Sequence, residues 1–145
     1  MIIIDDQLFL RVLQGDNPFP LELRRDRRYS LRTTYAYQFR ALHAASKDAP
    51  EGVLSTLVHT ATAEDVDVLR RRIRRPEPLV RVLDPLESIA AAIEVKQLYP
   101  LSQLLAELLG AAIFHDAAVA LSVEPRNFST TCSELGIPLL LFPSK

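Results

Sequence analysis

The feature that most constrains this chain is its alternation of short apolar runs with longer segments of helical period. Met1-Ile2-Ile3-Ile4 stops at Asp5, and Leu79-Val80-Arg81-Val82-Leu83 stops at Asp84. Ala117-Ala118-Val119-Ala120-Leu121 leads through Ser122 and Val123 to Glu124, and Pro138-Leu139-Leu140-Leu141-Phe142 follows near the end. Runs this short with helical segments between them read as buried strands joined by crossovers, and such strands run parallel with both faces covered. The expected fold is a three-layer α/β domain, a mainly parallel sheet of about four to five strands flanked by helices, with right-handed connections. No repeat, low-complexity tract or composition break divides residues 1–145, which predicts a single domain.

The segments between the runs carry helix signals. A helix is expected from about Gln7 to Gln14, ended by Gly15-Asp16-Asn17-Pro18, and then an arginine-rich excursion without a clear period over 15–29. A helix from Ser30 to Ala45 is expected from its alanine and aromatic content, then a short one over Val53 to Thr60. Thr62 can cap another, with Asp65 at the third position, running to Arg75 where Pro76-Glu77-Pro78 stops it. Asp84 followed by Pro85 is a matched start signal for a helix to about Leu98. Beyond Pro100 a second apolar helix carries Glu107, and a last one from about Pro125 to Leu135 ends at Gly136.

Composition bounds the function. A chain of 145 residues, 48% hydrophobic and 24% charged, can bury a proper core. No run is long and apolar enough to span a bilayer, and the start goes straight into a strand, so neither a membrane span nor a signal peptide is expected. One cysteine, Cys132, excludes an intrachain disulfide framework and a cysteine-rich zinc site, and reads as a passive small residue; a cytosolic setting is the simplest expectation. His43, His59 and His115 lack metal-site spacing, and four glycines build no phosphate loop.

The net charge of −1 conceals two bunches of arginine: Arg24, Arg25, Arg27, Arg28 and Arg32, and Arg70, Arg71, Arg72, Arg74 and Arg75. A local patch of this kind can attract phosphate without a basic total. Equally, both bunches can be solvated faces partnered by Glu22, Asp26, Glu64, Asp65 and Asp67.

Three carboxylates stand out. Asp5 and Glu124 follow apolar strands whose C-terminal ends open, in a parallel sheet, into one ligand-binding crevice. Glu107 lies in the apolar stretch Pro100 to Phe114, where an ionised side chain needs a partner. A divalent cation held by the three would supply it.

These positions resemble the PIN domain. The start, Ile2-Ile3-Ile4-Asp5-Asp6-Gln7-Leu8-Phe9-Leu10, is similar to that family's opening strand, acid and hydrophobic helix. Pro100 to Glu107 followed by Leu108 to Phe114 resembles the helix with its third acid. Ala118 to Glu124, Phe128 and Leu135-Gly136-Ile137-Pro138 resemble the strand ending in the fourth acid and the helix returning to a last strand. The resemblance implies a toxin-type ribonuclease of prokaryotic toxin and antitoxin pairs. Its Mg²⁺ or Mn²⁺ would be held by Asp5, Glu107 and Glu124, with Asp6 in support, and would activate water against an RNA phosphodiester. In that reading Arg24, Arg25, Arg27, Arg28 and Arg32 hold the substrate backbone, and Ser122 contacts phosphate or a metal-bound water. Tyr29, Tyr35 or Tyr37 would stack on a base, unless they pack helices. An antitoxin-like protein or a second copy is the expected partner.

The sequence departs from that pattern twice. No acid lies between Asp26 and Asp48, where the family carries one on a helix, and Gln38 or a tyrosine stands there instead. Glu107 and Glu124 replace the commoner Asp. The departures imply an alternative, a PIN-like module without catalysis that binds protein or RNA. A further alternative matches Asp5-Asp6, Asp84, Ser122 and Lys145 to the acidic pair, phosphoacceptor, hydroxyl and lysine of a response-regulator receiver, by analogy of fold alone.

Overall fold

The computed structural model describes residues 1–46 and 63–143, the side chains of 63–65 excepted. The expected helix over Val53 to Thr60, the Thr62 cap, His59 and Lys145 lie outside them. Within these bounds the order is β1 (Ile2–Ile4), α1 (Asp6–Leu13), α2 (Leu21–Arg24), β2 (Leu31–Thr33), α3 (Tyr35–Ala45) and α4 (Ala63–Arg74). It continues with β3 (Arg81–Val82), α5 (Pro85–Leu98), α6 (Gln103–His115), β4 (Ala118–Leu121), α7 (Phe128–Leu135) and β5 (Leu139–Leu141). The five strands form one sheet in the order β3-β2-β1-β4-β5, every pairing parallel. No described helix is long and apolar enough to cross a membrane.

The two-residue alternation of strand side chains divides the interior. Ile2 and Ile4 join Leu8, Leu13, Ala41, Leu69 and Ile73 in one core, beneath α1, α3 and α4. Ile3, Val119 and Leu121 point the other way, onto Val95, Leu108, Leu109, Phe128 and Cys132 of α5, α6 and α7. Chain progress reverses direction between β1 and β4 and the helices change face there, so crossovers of one hand produce both halves. That reversal is a topological switch point.

One expected element is corrected. The segment from Ser30 is not helical throughout: Leu31–Thr33 is a strand, and α3 starts only at Tyr35. β1 needs a hydrogen-bonding neighbour on that side, and the Ile2 N–H finds the Ser30 carbonyl at 2.9 Å, in register Ile2 with Leu31 and Ile3 with Arg32. Thr33 adds a bond from its hydroxyl to the Ile4 carbonyl at 2.9 Å, and Thr34 then caps α3. Tertiary pairing overrides local helix preference here. The strand expected over Leu79 to Leu83 shortens to Arg81–Val82 at the sheet edge, and Asp84 caps α5 with Pro85 in its first turn, as expected.

α5 and α6 pack through a glycine. A Cβ placed on Gly110 would lie 2.6 Å from the Ala92 nitrogen and 2.8 Å from its Cα, both backbone atoms that cannot swing away. Gly110→Ala is therefore expected to destabilise the fold by a net ~1–2 kcal/mol, overpacking outweighing a helix-propensity gain of up to ~1 kcal/mol. Urea denaturation of the two proteins measures it, and equal or higher stability in the variant would mean that the helices separate freely.

Candidate functional site

Asp5 leaves the C-terminal end of β1 at the switch point and becomes the N-cap of α1. Its Oδ1 accepts the Leu8 N–H at 2.9 Å and the Ser122 hydroxyl at 3.3 Å, and its Oδ2 accepts the Ser122 N–H at 2.9 Å. One carboxylate thus ties the end of β1 to the end of β4 and starts a helix. Burial is the main influence on its pKa and pushes it up to about 6, against the lowering effect of the Ser122 and Leu8 bonds and with a raising contribution from Asp6.

Asp6, in the first turn of α1, is also buried. Its Oδ1 accepts the Gln7 N–H at 2.9 Å, and its Oδ2 accepts Arg40 Nε from α3 at 2.7 Å. Below them Tyr37 is buried, its phenol held well above the usual range by burial first and then by Asp5 and Asp6. α3 is the helix on which an acid was expected and not found. Gln38 turns away to bond the Ile73 carbonyl of α4 at 2.8 Å, and Arg40 occupies the crevice side. Arg40 is the residue that sequence reasoning missed; its signal is that it is the one arginine within α3, three residues after the buried Tyr37.

A cleft of about 350 Å³ opens beside this pair. Arg40, Asp84 and Glu107 supply its charged groups, and Tyr35, Phe39 and Leu83 much of its apolar wall. Tyr35 is 58% and Phe39 60% exposed. Glu107 is half-buried and accepts the Gln103 amide at 3.2 Å, and Asp84 accepts the Leu86 N–H at 3.0 Å as the cap of α5. Glu124 is exposed and accepts the Ser129 N–H at 3.2 Å, capping α7 where the left-handed Asn127 makes no side-chain cap. It also raises the thiol of buried Cys132, which burial above all pushes up to about 11, in keeping with a passive role.

The structure thus brings Asp5, Asp6 and Ser122 together and sets Glu107 with Arg40 around the cleft, whereas Glu124 is engaged at the start of α7. A Mg²⁺ or Mn²⁺ ion needs several carboxylate or water oxygens free to approach in near-octahedral order. Here the oxygens of Asp5 already receive three protein donors, Asp6 holds a guanidinium, and Glu107 and Glu124 each hold an N–H of their own neighbourhood. As arranged, Asp5, Glu107 and Glu124 each accept protein donors, and the positive charge beside the acidic pair is Arg40.

The arginines expected at the substrate are placed elsewhere. Residues 15–29 join the end of α1 to the start of β2, and both lie at the N-terminal edge of the sheet, opposite the crevice. Accordingly the Arg28 carbonyl accepts the Met1 ammonium at 3.3 Å, while Arg25, Arg27 and Arg28 are exposed. Arg32 sits within β2 in register with Arg81, its pKa lowered by burial and then by that neighbour. Of the expected surface partners, Asp26 pairs with Arg28 at 3.4 Å and Asp67 with Arg70 at 3.0 Å. Ser122 spends both its N–H and its hydroxyl on Asp5. Tyr29 packs edge-on against Phe19 and Tyr37 is internal, which leaves Tyr35 as the exposed aromatic of the three.

No family model matches the chain, and no characterised protein matches it either. The strand order β3-β2-β1-β4-β5 also differs from the order 2-1-3-4-5 of receivers, which counts against the phosphoacceptor analogy. Asp84 has its own task there as a helix cap.

Asp5 makes stability depend on pH. Its folded pKa of about 6 lies above the ordinary 3.8, so the folded state binds the proton more tightly than the unfolded chain does. The increment is fully present below the unfolded value and is lost as pH rises through the folded one. The stability difference between wild type and Asp5→Ala should therefore grow by about 2 kcal/mol between pH 7 and pH 4. Denaturant titrations across that range measure it; a difference independent of pH would show that the carboxylate is not held in the environment described.

Proposed function

We propose that this chain is a PIN-like domain that acts as a binding module and not as a metal-dependent ribonuclease. The observation that carries this reading is the Arg40 to Asp6 pair at 2.7 Å. A guanidinium from the helix where the family bears an acid pairs with buried Asp6 and sets a positive charge, itself 56% exposed, where a second cation would have to approach. Support also comes from the sheet order, whose switch point falls at Asp5, and from the engagement of every candidate ligand by a protein donor.

Calorimetry with Mn²⁺, on wild type and on Glu107→Ala, tests the reading together with an assay of RNA cleavage in Mg²⁺ and Mn²⁺. The expected result is no stoichiometric Mn²⁺ binding and no metal-dependent cleavage. Binding in wild type that disappears in Glu107→Ala, accompanied by cleavage, would overturn it in favour of the toxin-type ribonuclease.

The partner of such a module meets an apolar surface. Leu86, Ile89 and Ile93 of α5 are 74%, 53% and 54% exposed and recur at helical spacing, forming a stripe on the side of α5 away from Ser88, Ala92 and Val95. Exposed aliphatic side chains in a row on one helix mark an interaction surface, and a second copy covers such a stripe with itself about a two-fold axis. Light scattering behind size exclusion should give a dimer for wild type and a monomer for the double variant Ile89→Asp, Ile93→Asp. A monomeric wild type would exclude self-association and direct the stripe to a different protein.

A further inference from the structure

A second cleft, of about 470 Å³, lies at the edge of the sheet opposite the crevice. α1 ends there, at Leu13 and Gly15, and α4 arrives there to enter β3 through Pro76 to Leu79. The two arginine bunches of the sequence meet in this cleft: Arg24 from the first, Arg72 and Arg75 from the second, with Asn17 beside them and Glu77 as the one acid in the lining.

We propose that this cleft binds a phosphate-type oxyanion carrying two or more negative charges. Three guanidinium groups face one carboxylate, a local excess of two positive charges in a chain whose net charge is −1. Arg72 is fixed by its Nη1 donating to the Leu13 carbonyl at 2.7 Å, which holds its planar head at the cleft and leaves other N–H groups for a ligand. Arg24 and Arg75 differ: among the described residues their side chains make no hydrogen bond or ion pair. Three like charges that outnumber the one carboxylate repel, and an oxyanion relieves that repulsion while matching the guanidinium fork by paired hydrogen bonds. There is room for it in a cleft of about 470 Å³. The phosphates can belong to a small polyphosphate or to the backbone of a nucleic-acid strand; the recognition chemistry is shared. This site and the Arg40 crevice lie at opposite ends of the strands, so either reading stands without the other.

The test is calorimetric titration at low ionic strength with inorganic pyrophosphate and with a short oligouridylate. It compares wild type, the double variant Arg24→Ala, Arg75→Ala, and a control with Arg25→Ala, Arg27→Ala. Arg72 is left intact because it caps α1, and circular dichroism checks that each variant is folded. Wild type and control are expected to bind at least one probe alike, and the Arg24, Arg75 variant to bind it about tenfold more weakly or worse. Pyrophosphate binding alone assigns a small polyphosphate, oligouridylate binding alone assigns a nucleic-acid backbone, and mutual competition assigns one site to both. Failure of wild type to bind either probe, or equal binding by the Arg24, Arg75 variant, overturns the proposal.

Discussion

The structure depends on one carboxylate at the middle of the sheet. Where β1 and β4 lie side by side and the crossovers on either side diverge, the polar groups at the strand ends are buried and must be satisfied locally. Asp5 does this for three donors, two from Ser122 and one from Leu8. The same residue aligns β4 with β1, starts α1 and so positions the helix that covers Ile2 and Ile4. The arrangement stores a penalty in the ionised carboxylate, since burial outweighs the bonds it receives.

Arg40 supplies the positive charge beside the acidic pair. Its side chain crosses from α3 to Asp6, so the crevice contains a cation of its own. The adjoining cleft then combines the charged groups of Arg40, Asp84 and Glu107 with the exposed aromatic rings of Tyr35 and Phe39. Charge is thereby segregated along the strands. Acidic groups and their arginine gather at the C-terminal ends, and the guanidinium groups without acidic partners gather at the N-terminal edge. The connections dictate this separation: segments that leave a strand pass the first edge, and segments that return to one pass the second.

Much of the architecture was legible in the order of residues. Ile2 to Ile4, Ala118 to Leu121 and Leu139 to Leu141 are strands because each is a short, continuous apolar run bounded by a polar or turn residue. The start of α5 was legible in Asp84-Pro85 and the end of α7 in Gly136, whereas α6 was read from Pro100 and starts only after its cap Ser102. β2 was not, because Leu31-Arg32-Thr33 has no apolar alternation of its own and becomes a strand only by pairing with β1. Asp5 was visible as a residue at a strand end, yet its bonds to Ser122 join positions far apart in the chain. Glu107 and Glu124 looked alike as acids near apolar segments, and their different surroundings came from the helices they serve, one within α6 and one at the start of α7.

Local patterns, then, determined by themselves that this chain forms a covered, parallel sheet and where most helices begin and end, since burial and capping are decided within a few residues. Which charges meet was decided only by the tertiary structure. Arg40 reaches Asp6 and Arg24 joins Arg72 and Arg75 because the crossover topology carries distant segments to a common edge, and the electrostatic character of a site depends on distances in space that spacing along the chain does not encode.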